Sequence, residues 1–142
     1  MRKVEDINVF YKKKPLYVPQ GLKKLDKPII KKRRKSNKKD HIYKESTLLK
    51  EHKVEYTNYP NNVLYFDKEI KTVHVSQKPT GLLKYLIKTY TKEGDLVLDN
   101  CMGGGKNGVA CAETKRRFMG IEIEAKKFDI YKNIIERAYK EI

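Results

Sequence analysis

The segment Leu96-Val97-Leu98-Asp99-Asn100-Cys101-Met102-Gly103-Gly104-Gly105 passes from an apolar run, through an acid, to a cluster of glycines. The apolar run predicts a short strand that ends at Asp99, and the glycines predict a flexible loop. A helix is expected from Asn107 to Lys115, and a second strand from Phe118 to Ile123. Strand, glycine loop, helix and strand form a βαβ unit, which implies parallel strands and a right-handed crossover.

An amphipathic helix is expected on each side of this unit. After Pro79, apolar residues recur at helical spacing at Leu82, Leu83, Leu86, Ile87 and Tyr90. A last helix, from Glu124 to Glu141, has an apolar face formed by Phe128, Tyr131, Ile134, Ile135 and Ala138. Upstream, β-branched and aromatic residues predict a strand over 4–11, and the segment 59–66 indicates a turn that leads into a short buried strand.

The charge of the chain is strongly uneven. Its 142 residues include 33 Lys and Arg against 18 Asp and Glu, and residues 1–53 hold 18 of the basic and 6 of the acidic side chains. The stretch 22–53 is expected to be an extended basic loop, because so dense a run of charge cannot face a core. This concentration favours a polyanionic partner, although a solvated arm is the alternative. The residues expected to contact nucleic acid are Lys31, Lys32, Arg33, Arg34, Lys35, Lys38 and Lys39.

The length suits a single domain, and the composition excludes several classes of protein. No apolar run approaches the ~20 residues of a membrane span, and no apolar signal core follows the basic first residues. Cys101 and Cys111 fit neither a disulfide framework nor a zinc site, so both are expected to be free thiols in a reducing cytoplasm. The three histidines are scattered, and no metal site is expected.

The glycines of the βαβ unit fit a known ligand-binding pattern. Gly103, Gly105 and Gly108 match G-x-G-x-x-G, and Glu122 is expected to end the next strand. Such a loop presents backbone N–H groups and a helix N-terminus to a ligand, and the acid can accept hydrogen bonds from ribose hydroxyls. A nucleoside-containing cofactor is therefore expected. The alternative is a glycine turn that only lets a helix pack on the sheet.

Asp99 narrows the choice of cofactor. A carboxylate directly before the glycine loop would repel a pyrophosphate, and it suits a ligand that carries a cationic amino group. S-adenosylmethionine has both an ammonium group and a ribose, so Asp99 and Glu122 could each bind one end of it. NAD has no such ammonium group, and a small dinucleotide-binding domain is the weaker hypothesis.

Three segments together resemble a known family: His74-Val75-Ser76-Gln77-Lys78-Pro79, Gly94 to Gly105, and Gly120-Ile121-Glu122-Ile123. They are similar to motifs of the amino-group DNA methyltransferases, which methylate adenine N6 or cytosine N4, in the permuted arrangement where the cofactor motifs follow the catalytic one. The resemblance implies a bacterial or phage-like cytoplasmic enzyme of restriction-modification type. It also implies an α/β, partial Rossmann-like methyltransferase fold with parallel strands and a basic loop insert.

The resemblance assigns roles along the chain. Residues 1–21 would be a strand and turn that follow the catalytic half, 22–58 a basic recognition-like insert for double-stranded DNA, and 59–142 the S-adenosylmethionine-binding βαβ region. The residues that would bind the cofactor are Gln77, Lys78, Asp99, Asn100, Met102, Gly103, Gly104, Gly105 and Glu122. Gly104 stands where the family usually has serine, and Lys106-Asn107 stand where Thr-Thr is usual.

One family element does not occur in the sequence. The D/N/S-P-P-Y/F/W tetrapeptide, which holds the target amino group and stacks on the flipped base, needs a Pro-Pro dipeptide, and the 142 residues contain none. The expected function is thus the cofactor-binding and DNA-recognition part of a methyltransferase, a fragment or split subunit. A second polypeptide with the catalytic half, a second copy of the chain, or a rearrangement of the first strand would cover the open strand edge. A nucleic-acid-binding remnant without catalysis is the alternative.

Overall fold

The computed structural model describes residues 4–32, 51–67, 69 and 77–142. The chain divides into two units, a larger unit formed by Met1–Val18 and Leu64–Ile142 and a smaller unit formed by Pro19–Val63. In chain order, the elements are β1 (Lys23–Lys31), β2 (His52–Thr57), α1 (Thr80–Tyr90), β3 (Leu96–Asp99), α2 (Lys106–Glu113), β4 (Arg117–Gly120) and α3 (Ala125–Lys140).

The larger unit is built around the expected βαβ unit. Strands β3 and β4 pair in parallel, in a register that runs from Leu96 opposite Arg117 to Asp99 opposite Gly120, and α2 is the crossover between them. Beyond the strands, the Ile121 amide donates to the Asp99 carbonyl at 2.9 Å, and the Met102 amide donates to the Ile121 carbonyl at 3.0 Å. The prediction of a partial Rossmann-like α/β fold with parallel strands is confirmed.

Two clusters of buried side chains form the core of this unit. Ile87, Ala110 and Cys111 pack with Leu83, Val97 and Phe118, and Met102, Tyr131 and Ile135 pack with Val109, Phe118 and Phe128. Successive strand residues point to opposite faces of the sheet, so Val97 and Phe118 face the helices. Leu96, Leu98 and Met119 face the other way and are 50%, 59% and 52% exposed.

Glycine and alanine allow α2 to approach its neighbours closely. A Cβ atom on Gly108 would lie 2.6 Å from Ile135 Cδ1 and 2.9 Å from Phe118 Cδ1. Gly105 precedes the helix with a φ of +69°, a left-handed conformation that glycine adopts without strain. Gly108, the third glycine of the motif, therefore allows the helix to pack closely, and Gly105, the second, forms the turn into the helix.

At the end of the sheet where β3 and β4 begin, the side chain of Arg116 is buried. Its Nε donates to Thr91 Oγ1 at 3.0 Å and its Nη2 to the Thr91 carbonyl at 2.8 Å, while Nη1 donates to the Thr114 carbonyl at 2.5 Å. Thr91 and Thr114 are the C-capping residues that directly follow α1 and α2. One guanidinium group therefore satisfies carbonyl groups at the negative ends of two helices.

The bounds of several elements differ from the sequence expectations. Helix α2 begins at Lys106, one residue early, and ends at Glu113, before Lys115 adopts a φ of +60°. Strand β4 ends at Gly120 because its partner β3 ends at Asp99, so Glu122 lies beyond the strand and not at its end. On α3, Tyr131 and Ile135 are buried, whereas Ile134 is 42% exposed.

Two predicted strands are wrong. Residues 4–11 have no strand structure, and Val4 and Phe10 are 71% and 91% exposed. The segment 63–66 is likewise not a strand, and Tyr65 is 90% exposed. Both segments have the side chains of a strand, but within the described part of the chain neither has a neighbouring strand with which to pair. Beyond the first segment, Val18 donates its amide hydrogen to the Thr89 carbonyl at 2.8 Å.

The smaller unit corrects the expectation of a basic loop. Its two described ends form an antiparallel hairpin, in which Lys24 lies opposite Tyr56 and Lys31 opposite His52. The register shifts between Lys24 and Ile29, where Pro28 has no amide hydrogen to give to a ladder. A lysine-rich strand such as β1 suggests a solvated loop from composition alone, because neither strand of the hairpin is deeply buried.

Candidate functional site

A cavity of about 120 Å³ opens where β3 ends and α2 begins. This is the carboxyl end of the parallel strands, where open α/β sheets bind ligands. The chain reaches this edge through the loop 100–105, whose turn is closed by a 2.8 Å hydrogen bond from the Gly105 amide to the Met102 carbonyl. The cavity is lined by Gln77, Lys78, Leu83, Asp99, Cys101, Met102, Gly103, Gly104, Lys106 and Asn107.

Most of the residues predicted to bind a cofactor line this cavity. They are Gln77, Lys78, Asp99, Met102, Gly103 and Gly104. Three others lie outside it. Asn100 is exposed, and Gly105 packs against Tyr131 and Ile135. Glu122 accepts a hydrogen bond from the Glu124 amide at 3.1 Å, at the residue that precedes α3.

Asp99 is held on the wall by two donors. Its Oδ1 accepts a hydrogen bond from the Cys101 amide at 3.1 Å, and its Oδ2 accepts one from Asn107 Nδ2 at 2.6 Å. Both donors come from the loop and from the first turn of α2, so the glycine turn also fixes the carboxylate. A carboxylate fixed at the edge of a cavity is suited to bind a cationic group.

The sequence marks Lys106 and Asn107 only as departures from the family pattern, where Thr-Thr is usual. In the structure both line the cavity, and Asn107 orients Asp99. Leu83 and Cys101 line it as well, although no role was predicted for them. The only sequence signals for a role in the site were that Cys101 lies next to the glycine loop and that Leu83 lies on the apolar face of α1.

Glu69 anchors the cation beside the cavity. Its Oε2 lies 3.1 Å from Lys106 Nζ and 2.8 Å from Gln77 Nε2. Its Oε1 accepts hydrogen bonds from the Thr80 hydroxyl and, at 2.9 Å, from the Thr80 amide at the start of α1. The Thr80 hydroxyl, the Thr80 amide and the Lys106 cation lower the pKa of Glu69 to about 2 against the cost of its desolvation. Glu69 is therefore ionised at neutral pH.

The residues predicted to contact nucleic acid fall in the smaller unit. Lys31 ends β1, and Lys32 follows it and pairs with Glu51 at 3.0 Å. Arg33, Arg34, Lys35, Lys38 and Lys39 lie outside the described residues. Strand β1 carries the basic excess, with exposed lysines at Lys23, Lys24 and Lys27. On β2 the charge of Lys53 is offset by its 2.8 Å ion pair with Glu55.

Other features of the described residues bear on chemistry. Cys101 is exposed, whereas Cys111 is buried, and this burial raises the pKa of the Cys111 thiol to about 11. Within ranges 4–32, 51–67, 69 and 77–142, no three His, Cys, Asp or Glu side chains are grouped so as to hold a metal ion. None of the described helices combines the length and apolar composition needed to cross a membrane.

Comparison with known proteins identifies the family. Residues 1–133 match the family model N6_N4_Mtase, described as DNA methylase. The type II methyltransferase M2.DpnII of Streptococcus pneumoniae is 41% identical over 63 residues, which are 44% of this chain and 24% of that protein. The type II methyltransferase M.HindIII of Haemophilus influenzae is 46% identical over 54 residues, 38% of this chain and 18% of that protein.

Among solved structures, the M1.HpyAVI–SAM complex is 36% identical, with a match that covers 54% of this chain and 41% of that one at a TM-score of 0.43. The chain spans about a quarter or less of the two curated relatives. The family match, in contrast, extends over both units and the glycine loop. The chain therefore belongs to the N6_N4_Mtase family of DNA methylases.

Proposed function

We propose that the larger unit binds S-adenosylmethionine in the cavity at the end of β3, and that the smaller unit contacts double-stranded DNA. The chain would thus be the cofactor-binding and DNA-recognition part of a DNA amino-methyltransferase acting on adenine N6 or cytosine N4. The observation that carries the proposal is the Asp99 carboxylate, fixed on the cavity wall by the Cys101 amide and the Asn107 side chain.

The residues present fit the methionine end of this cofactor. The cavity of about 120 Å³ is smaller than the roughly 300–1,000 Å³ of pockets that enclose whole small molecules, and it suits one end of an elongated ligand. Asp99 would bind the ammonium group, while Leu83 and Met102 supply apolar wall. Glu122, beside β4 and outside this wall, would bind the ribose hydroxyls. When bound, S-adenosylmethionine supplies the sulfonium methyl group that is transferred.

The test of cofactor binding is a calorimetric titration of the full chain with S-adenosylmethionine. Saturable binding is expected, together with slower labelling of the Cys101 thiol by N-ethylmaleimide, because Cys101 lines the cavity. Cys111 is the internal control, since it is buried and should react only on unfolding. A folded chain that shows neither heat nor protection would contradict the proposal and favour a DNA-binding module without catalysis.

The hairpin of the smaller unit supports contact with DNA. A two-stranded antiparallel ribbon is one of the elements that the major groove admits, and β1 contributes four lysines to it, Lys23, Lys24, Lys27 and Lys31. Lys31, Lys32 and the basic run that follows would bind phosphates. Such contacts position the duplex without reading its sequence.

Duplex binding measured by fluorescence anisotropy against salt concentration tests this role. Replacing Lys31 and Lys32 together by alanine is expected to make the slope of log K against log [salt] shallower by about 2, since each phosphate contact contributes about 0.9. The matched control replaces Lys126 and Lys132 on α3, which removes the same charge from the larger unit. Equal effects of the two double variants would show nonspecific charge attraction instead of contact by the hairpin.

Catalysis would require residues from outside these 142. The Pro-Pro tetrapeptide that holds the target amino group does not occur among the prolines, which are Pro15, Pro19, Pro28, Pro60 and Pro79. Positioning the amino nitrogen in line with the sulfonium methyl group is the main catalytic task of such an enzyme. We therefore infer that a second polypeptide or a further segment supplies this motif, and that the 142 residues alone transfer no methyl group.

A further inference from the structure

Two side chains of opposite charge line the same cavity. Asp99 stands at the end of β3, and Lys106 is the first residue of α2. Asn107, the neighbour of Lys106, donates a hydrogen bond to Asp99. The first turn of α2 therefore carries Lys106 and also orients the Asp99 carboxylate. A cavity that presents both an anion and a cation is complementary to an α-amino acid, which carries an ammonium and a carboxylate group.

We propose that Lys106 binds the α-carboxylate of the methionine part of S-adenosylmethionine, and so makes the cavity selective for a ligand with both charged groups. The inference rests on the proposed function and deepens it. Asp99 recognises the cationic end of the amino acid, and Lys106 recognises the anionic end.

The contact with Glu69 prepares Lys106 for this role. Lys106 is 29% exposed, and its ion pair with Glu69 holds its ammonium group in place. Glu69 is itself fixed by Thr80 and Gln77, and it does not line the cavity. A lysine ammonium has three N–H donors, so it can donate to Glu69 on one side and to a ligand carboxylate on the cavity side.

Lys78 is the other cation on the wall, and its setting differs. Its Nζ pairs with Glu5 at 2.5 Å, and the two side chains are 47% and 71% exposed. Water screens an ion pair at such a position strongly, so a ligand carboxylate gains less there. The less exposed Lys106 is therefore the residue assigned to the carboxylate.

Calorimetry with two ligands tests the assignment. Decarboxylated S-adenosylmethionine keeps the ammonium group, the sulfonium and the nucleoside, and lacks only the carboxylate. The unaltered chain is expected to bind S-adenosylmethionine roughly tenfold more tightly than this analogue, the size of a charge-assisted hydrogen bond. Lys106→Met should abolish this preference by weakening S-adenosylmethionine alone, and Lys106→Arg should retain it.

The matched control is Lys84→Met. Lys84 is also a partly exposed lysine in an ion pair, with Glu113, but it does not line the cavity, and the preference should survive its loss. Should Lys106→Met not fold, as judged by circular dichroism, Lys106→Gln makes the same comparison.

The outcomes separate the two proposals. Equal affinities of the unaltered chain for both ligands, or a preference that Lys78→Met removes and Lys106→Met preserves, would overturn the assignment and leave cofactor binding intact. A folded chain that binds neither ligand would overturn the proposed function itself, and the assignment with it.

Discussion

Asp99→Asn is expected to weaken the binding of S-adenosylmethionine roughly 10- to 100-fold, the value of one hydrogen bond to a charged group. Asparagine has the shape of aspartate and can still accept a hydrogen bond from the Cys101 amide or from Asn107, so the loop should keep its structure. What the variant loses is the negative charge opposite the ligand ammonium group. Calorimetric titration measures the difference directly.

Asp95→Asn is the matched control for this variant. Asp95 immediately precedes β3 at its opposite end, where its side chain accepts a hydrogen bond from the Lys92 amide, so the same change in net charge occurs away from the cavity. A second ligand, 5′-methylthioadenosine, has the nucleoside but no ammonium group, and its affinity should not respond to Asp99→Asn. If Asp95→Asn weakens binding as much as Asp99→Asn, the charge at Asp99 has no specific role.

Gly108→Ala is expected to lower the free energy of unfolding by about 2 kcal/mol. The added methyl group would lie 2.6 Å from Ile135 Cδ1 and 2.9 Å from Phe118 Cδ1, distances at which α2 or these two side chains must shift. The better helix propensity of alanine returns only about 1 kcal/mol, which the cost of the clash exceeds. Urea unfolding followed by circular dichroism gives the difference.

Gly81→Ala separates packing from helix propensity. Gly81 lies in the first turn of α1, and a Cβ atom there would approach only the Phe66 ring, at 3.3 Å. That ring is 37% exposed and can shift toward solvent. This variant is expected to leave stability unchanged or to raise it by up to about 1 kcal/mol. A loss at Gly81 as large as that at Gly108 would contradict the packing argument.

The sequence predicted those parts of the fold that depend on local pattern. The apolar run at β3, the glycine loop and the helical spacing of α1 and α3 each have a period or composition that a single structure explains. The segments 4–11 and 63–66 have strand composition too, but a strand also needs a partner, and pairing is not visible in local sequence. The hairpin was not predicted for the opposite reason: β1 is too rich in lysine to have the composition of a strand, and its partner β2 lies far from it in the chain.

The sequence likewise predicted only part of the candidate site. Asp99 and the glycines could be predicted from the sequence because they lie within one continuous segment. Glu69 could not, since its contacts with Lys106 and Thr80 arise only when distant segments pack together. Lys106 and Asn107 were visible, but only the structure shows that one has a fixed counter-ion and that the other orients the carboxylate.

The buried guanidinium of Arg116 has a consequence for protein engineering. It joins the carbonyl ends of α1 and α2 at the end of the strand pair remote from the loop 100–105. Arg116 therefore stabilises the end of the sheet where β3 and β4 begin, whereas the candidate ligand contacts lie at the end where β3 finishes. Directed evolution can randomise Cys101, an exposed loop position that lines the cavity, to change ligand preference, because variation there leaves the Arg116 contacts intact.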